Sequence, residues 1–217
     1  MKNQETGIEP GTPIRELLCA GKPWEQTSDR QVRIGVAGGG FGAHFHWHQH
    51  PNARVVAVAE RRPDRLANLV ETYGCTRTYE DLEGLLTDDE VEAVAIFSPA
   101  PDHARHCAAA MEAGKHVFCA VPACMTLEEA EMLVEVKERT GCKYMMAETS
   151  YYRWETILAR FMVQAGSFGE LVYTEGEYYH RLTIGEERDV LWFYEGKPTW
   201  RYGLPPMHYP THSTAFL

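Results

Sequence analysis

Gly38-x-Gly40-x-x-Ala43 stands directly after an apolar run, and Glu60 closes the next apolar run, 22 residues beyond Gly38. This spacing suits a dinucleotide. Gly38 permits a tight turn, Gly40 lets main-chain N–H groups approach a pyrophosphate, Ala43 allows a helix to pack closely on a sheet, and Glu60 can accept from ribose hydroxyls. Phe41 and Gly42 complete the turn. A carboxylate at position 60 repels a 2′-phosphate and favours NAD, whereas Arg61 and Arg62 immediately after it keep NADP open.

Other chemistry-bearing residues are weaker signals. His44, His46, His48 and His50 pair at i, i+4 on a helix read over Phe41 to His50, but helical geometry divides them between faces and no Cys or carboxylate completes a set, so no metal is expected. His46 is read near the pyrophosphate and the others as solvated. Tyr151, Tyr152, Trp154, Tyr178, Tyr179 and Trp200 can stack on a sugar ring or pack as core. Arg153, Arg181 and Arg201 can hold a carboxylate or phosphate, and Glu148 and Glu177 are further carboxylate candidates.

The elements that must position these groups follow from periodicity. Apolar runs at Val32 to Ala37, Ala53 to Ala59, Cys75 to Thr78, Val91 to Phe97, Lys115 to Cys119 and Lys143 to Ala147 read as strands. Helical stretches at Pro63 to Tyr73, Tyr79 to Leu86, Asp102 to Ala113 and Thr126 to Arg139 lie between them, with Thr126 as an N-cap. Strands apolar on both faces and alternating with helices predict an α/β fold, a Rossmann-type doubly wound parallel sheet. A helix from Trp154 to Gln164 and a longer, partly alternating strand at Leu171 to Tyr179 begin an α+β domain with an open sheet. The organisation expected is a leader segment over 1–30, a nucleotide-binding domain over 31–147 and an incomplete substrate and oligomerisation domain over 148–217.

Composition excludes several classes. Hydrophobic residues are 44% and charged residues 24%, as in ordinary globular domains, and the formal charge of -10 with no basic stripe argues against nucleic acid and anionic membranes as partners. No membrane span or secretory signal is read. The six cysteines form no C-x-x-C pair, which predicts reduced thiols and a cytoplasmic setting.

From residue 31 to 217 the chain resembles the Gfo/Idh/MocA family of NAD(P)-dependent oxidoreductases. The likeness rests on Val32-Arg33-Ile34-Gly35-Val36-Ala37-Gly38-Gly39-Gly40-Phe41-Gly42-Ala43, on Phe97-Ser98-Pro99-Ala100-Pro101-Asp102-His103, and on Gly114-Lys115-His116-Val117-Phe118-Cys119 before a proline. It implies that Ser98, Pro99 and His103 lie near the cofactor, with Cys119 and Ala120 at the end of the strand beside it. The family's Glu-Lys-Pro reads Ala120-Val121-Pro122 here, so its lysine role is vacant. The family's Asp-x-x-x-His pair falls on His208 and His212, with a histidine where the acid would be. These two are the catalytic candidates, able to move a proton near neutral pH. Members continue well past this point, so the expectation is a piece of a longer product or a chain whose unfinished sheet a partner covers, including a homo-oligomer through the C-terminal sheet.

Three functions follow. The first is NAD(P)-dependent oxidation or reduction of a sugar, cyclitol or related polyol by hydride transfer. The second is a redox-assisted glycoside hydrolase or lyase that retains NAD. The third, motivated by Val121, is a nucleotide-binding regulator or scaffold without chemistry.

Overall fold

The computed structural model describes residues 26, 28–178, 193–194, 196–204 and 210–215. Two compact units meet in sequence between Ala147 and Glu148. In the first, β1 (Val32–Ala37), β2 (Ala53–Ala59), β3 (Arg77–Tyr79), β4 (Ala93–Ile96), β5 (His116–Ala120) and β6 (Tyr144–Ala147) form one parallel sheet in the order β3-β2-β1-β4-β5-β6. The order reverses between β1 and β4, and the carboxyl ends of these strands are where such sheets bind ligands.

The connecting helices are α1 (Pro63–Tyr73), α2 (Leu82–Leu86), α3 (His103–Glu112) and α4 (Leu127–Thr140). Two buried clusters sandwich the sheet. One joins Ala57, Val94, Ile96 and Cys119 to Leu85 of α2, Cys107 and Met111 of α3, and Leu133 and Val136 of α4. The other joins Val36, Val55 and Val58 to Leu69 and Tyr73 of α1.

The ends of the helices follow local chemistry. Thr126 Oγ1 accepts from the Glu129 N–H at 3.2 Å, and the Glu129 carboxylate reaches back to the Met125 N–H at 2.6 Å. Gly141 closes α4 with φ 68°. Thr126→Ala should cost about 1 kcal/mol in denaturant unfolding, since it removes the side-chain acceptor that caps the Glu129 N–H.

The helix expected over Phe41 to His50 is replaced by two short 3₁₀ turns, Phe41–His44 and Trp47–Gln49, with Phe45 extended between them. The reason lies in the aromatic residues. Phe45 and Trp47 both pack on the sheet, stacked with centroids 5.1 Å apart and edge-on to Phe118 at 5.7 and 5.6 Å. Residues i and i+2 would diverge on a helix, so a local period of two prevails. His44, His46 and His48 accordingly point to solvent. Their i, i+4 pairing does not arise, and among the described residues no group of three His, Cys, Asp or Glu is placed to hold a metal.

In the second unit, α5 (Trp154–Gln164) has the predicted bounds, and β7 (Phe193–Tyr194) pairs antiparallel with β8 (Lys197–Pro198). A short helix, α6 (Thr211–Thr214), follows. The strand expected at Leu171 to Tyr179 is not formed over its described part, 171–178. Val172 is 90% exposed there, and no described segment offers it a ladder of hydrogen bonds. Among the described residues no helix is long and apolar enough to cross a membrane.

Candidate functional site

Gly38 turns the chain at the end of β1 with φ 107°, its N–H donating to Ala59 O at 3.0 Å. A Cβ on Gly38 would lie 2.6 Å from the Phe97 carbonyl oxygen, and one on Gly39 would lie 2.8 Å from Arg65 Cβ. At Gly40 the nearest atom to such a Cβ is Arg65 Nη1 at 3.4 Å, and no side chain caps this turn. The main-chain donors beside Gly40 and Phe41 are therefore approachable. Phe41 itself is exposed.

Close packing involves Gly42 as well as Ala43. A Cβ on Gly42 would meet Phe97 Cδ2 at 2.9 Å and Val36 Cγ1 at 3.2 Å, whereas Ala43 packs with its methyl group in place. Tyr73 fastens the segment, its hydroxyl lying 2.6 Å from Gly42 O and 2.8 Å from Phe45 O. Burial pushes that phenol up to about 12.

Glu60, at the end of β2, accepts from the Gly39 N–H through Oε2 at 2.6 Å and from the Arg62 N–H through Oε1 at 3.0 Å. Each oxygen retains a second lone pair for a ribose hydroxyl. Arg61 lies 3.6 Å from Asp81, and Arg62 grips Asp64 with two nitrogens at 3.2 and 2.8 Å. Asp64 is held below the usual carboxylate range by the hydrogen bond from Arg62. Both arginines offered for a 2′-phosphate thus have aspartate partners. Arg65, which the motif reading passed over, is the cation nearest Gly40. Pro63 at the first position of α1 could have signalled it, because it puts Arg65 in the first helical turn after Glu60.

After β4, Ser98 uses both its polar ends. Arg105 Nη2 donates to His106 Nε2 at 2.9 Å, so His106 Nδ1 carries the hydrogen directed at Ser98 Oγ, 2.8 Å away. The Ser98 carbonyl faces His103 Nε2 at 2.7 Å. Pro99 is exposed and precedes a 3₁₀ turn, Ala100–Asp102. His103 is 2% exposed with both ring nitrogens against carbonyl oxygens, so it does not present a free group to a cofactor. Cys119 likewise turns its buried side chain toward α3 and α4, while Ala120 is half-buried at the end of β5 and Val121 follows it.

The second unit builds a carboxylate–imidazole pair. Glu148 Oε1 lies 2.7 Å from His212 Nδ1 and accepts from the Ser150 N–H at 2.8 Å. Ser150 Oγ lies 3.2 Å from the same ring nitrogen, and Thr156 Oγ1 donates to Ser150 O at 2.8 Å. Burial raises the Glu148 carboxyl, but the hydrogen bonds from His212 and Ser150 outweigh it and hold the group below its ordinary range. An ionised carboxylate on Nδ1 selects the tautomer with the lone pair on Nε2. Tyr178 tilts against the imidazole with centroids 4.4 Å apart. His208, read as the acid's replacement, lies outside the described residues, as do Tyr179 and Arg181. Among the described residues His212 meets a carboxylate, Glu148, sixty-four residues earlier. Tyr151, Tyr152 and Trp154 are exposed, and Arg160 lies 3.6 Å above the Tyr151 ring.

Residues 32–148 match the family described as "Oxidoreductase family, NAD-binding Rossmann fold", Gfo/Idh/MocA. The chain is 34% identical over 163 residues to glycosyl hydrolase family 109 protein 1 of Bacteroides thetaiotaomicron, covering 70% of this chain and 35% of that protein. A glycosyl hydrolase family 109 protein of Shewanella amazonensis is 33% identical, with 70% and 36% covered. The chain thus spans about a third of the length of the curated relatives it matches. Among solved structures, KijD10, a 3-ketoreductase from Actinomadura kijaniata in complex with NADP and TDP-benzene, superposes with a TM-score of 0.57 at 28% identity, covering 63% of this chain and 43% of that one. Scyllo-inositol dehydrogenase from Lactobacillus casei, with NAD(H) and scyllo-inositol bound, shares the fold with a TM-score of 0.59 at 24% identity, covering 65% and 43%.

Proposed function

We propose, from the premise that this chain belongs to the oxidoreductase family with an NAD-binding Rossmann fold, that it acts on a sugar, cyclitol or related polyol, with His212 as the acid/base group and Glu148 as its orienting partner. The observation that carries this reading is the 2.7 Å contact between Glu148 and His212 Nδ1. A hydroxyl becoming a carbonyl must shed a proton as it gives up a hydride, and an imidazole with its lone pair on Nε2 is built to take that proton. Val121 cannot supply one.

A bound nicotinamide dinucleotide supplies the hydride acceptor or donor. The residues that would hold it fit: a glycine turn open at Gly40 and Phe41, Glu60 with lone pairs for ribose, and Arg65 beside the turn. The pairing of Arg61 and Arg62 with aspartates supports NAD over NADP. Glu60→Ala should weaken NAD roughly tenfold and narrow its margin over NADP. An unchanged NAD to NADP ratio of affinities, measured by titration, would count against this role. Among the described residues five cysteines are free thiols, which supports a reducing, cytoplasmic setting.

A second reading is favoured by one observation, the 34% identity to a glycosyl hydrolase family 109 protein. On this reading, transient oxidation of the sugar would ease elimination and the nicotinamide would end as it began. Turnover of a polyol and glycoside panel separates the two: net NADH formation supports oxidoreduction, and glycoside cleavage without it supports the hydrolase. Turnover undiminished in His212→Asn would remove both.

A further inference from the structure

His103 opens α3 almost wholly out of water, and each of its nitrogens lies against a backbone carbonyl oxygen. Nδ1 lies 2.6 Å from Pro122 O and Nε2 lies 2.7 Å from Ser98 O. A carbonyl oxygen only accepts, so both contacts are hydrogen bonds only if both nitrogens carry hydrogen. A neutral imidazole has one N–H and would press a lone pair against the other oxygen. The geometry therefore calls for an imidazolium, and a buried cation needs a counter-charge.

The titratable groups around it are few. Cys119 comes from β5, Tyr144 from β6, and Cys107 and His106 from α3 itself. Asp102 accepts from Arg105 at 3.2 Å. Cys119 is fully buried, and the S–H of Cys107, followed by the His103 charge, draws its thiol below the ordinary value. Burial alone would lower His103, but Cys119 and the two carbonyls outweigh it and hold the imidazole above its ordinary value. His106 is held low by burial and Arg105. In the competing neutral arrangement, Cys119 would keep its hydrogen on Ala120 O, 3.3 Å away.

We propose that His103 is a positioning residue, an imidazolium balanced by the Cys119 thiolate, which staples the segment after β4 to the segment after β5 at the ligand-binding edge of the sheet. It touches no cofactor. It sets the spacing of the two segments that border the dinucleotide site, and in that respect rests on the reading of that site given above.

The pair has a defined pH behaviour. Unfolded, between the ordinary values of 6.5 for imidazole and 9.0 for thiol, the two groups hold one proton together, on sulfur. Folded, they also hold one, on the ring. Stability from the pair is thus flat across this window. On acidification below it the unfolded chain takes a second proton, and above it the unfolded chain loses its last one while the folded pair keeps it, so stability falls on both sides.

The test is the long-range proton–nitrogen spectrum of the whole chain labelled with ¹⁵N-histidine, without cofactor, at about pH 8, where an ordinary histidine is neutral. We expect both His103 nitrogens to give protonated-type shifts, and the ring to become neutral in Cys119→Ser. One protonated and one bare nitrogen in the unmodified protein would overturn the proposal. His103→Gln should bind NAD roughly tenfold more weakly while its circular dichroism is retained. Unchanged affinity in that folded variant would overturn the staple. Because the spectrum is read without NAD, a failure of the dinucleotide reading would appear separately, as an unmodified chain that shows the imidazolium and binds no NAD.

Discussion

Replacing His212 by Asn should lower turnover by roughly 10²–10⁴-fold, the usual contribution of a positioned acid/base group, and leave NAD affinity unchanged. The amide keeps a hydrogen for Glu148 but has no titrating nitrogen to exchange a proton with substrate. Glu148→Gln should cost roughly 10²-fold or more, because a neutral amide no longer dictates which ring nitrogen bears hydrogen. It also removes the charge that accepts from the Ser150 N–H at 2.8 Å. Ser150→Ala should cost much less, since its hydroxyl stands 3.2 Å from a nitrogen that Glu148 already engages at 2.7 Å. Steady-state kinetics on the three variants should show the loss in kcat, with the KM for NAD constant. Equal activities in His212→Asn and the unmodified protein would remove the assignment.

Gly38→Ala should abolish dinucleotide binding and lower stability by roughly 3 kcal/mol or more. Two costs coincide there. The φ of 107° disfavours any side chain, and the new methyl group would sit 2.6 Å from the Phe97 carbonyl oxygen, which β4 holds in place. Gly42→Ala has only the second kind of cost, against Phe97 Cδ2 and Val36 Cγ1, and should fall between. Gly74→Ala has only the first, with φ 63° and nothing within 4 Å, and should cost about 1 kcal/mol. Denaturant unfolding should therefore order the variants Gly38, Gly42, Gly74 from most to least damaging. A Gly38→Ala chain as stable as Gly74→Ala would show that the turn tolerates a side chain.

Much of the first unit was legible because a strand buried on both faces leaves a continuous apolar run. The six runs became the six strands of β1 to β6, with ends shifted by a few residues where a turn absorbed them, as at Cys75 to Thr78 against Arg77–Tyr79. Helices bounded by strong local signals kept their bounds, α1 by Pro63 and Gly74, α4 by Thr126 and Gly141. The stretch from Phe41 to His50 misled because i, i+4 histidines mimic a helical face. The alternation His44, Phe45, His46, Trp47, His48 held the opposing signal of period two.

At the site, the glycine turn and Glu60 could be found from spacing alone. The packing role of Gly42 could not, since it depends on where Phe97 falls after β4. Nor could the pairing of Glu148 with His212, which lies far beyond any local pattern. The role of His103 depends on two backbone oxygens nineteen and five residues away, information that no side-chain motif contains. Leu171 to Tyr179 reads as a strand by composition, yet a strand exists only through a neighbour's backbone, and none of the described segments provides it.

The most direct test of the account is isothermal titration of the chain with NAD and NADP, alongside Gly40→Asp, whose carboxylate would close the approach to the turn. Saturable binding, tighter for NAD, is expected, and it should disappear in the variant. A folded chain that takes up neither dinucleotide, or a Gly40→Asp chain that binds as well as the unmodified one, would contradict it.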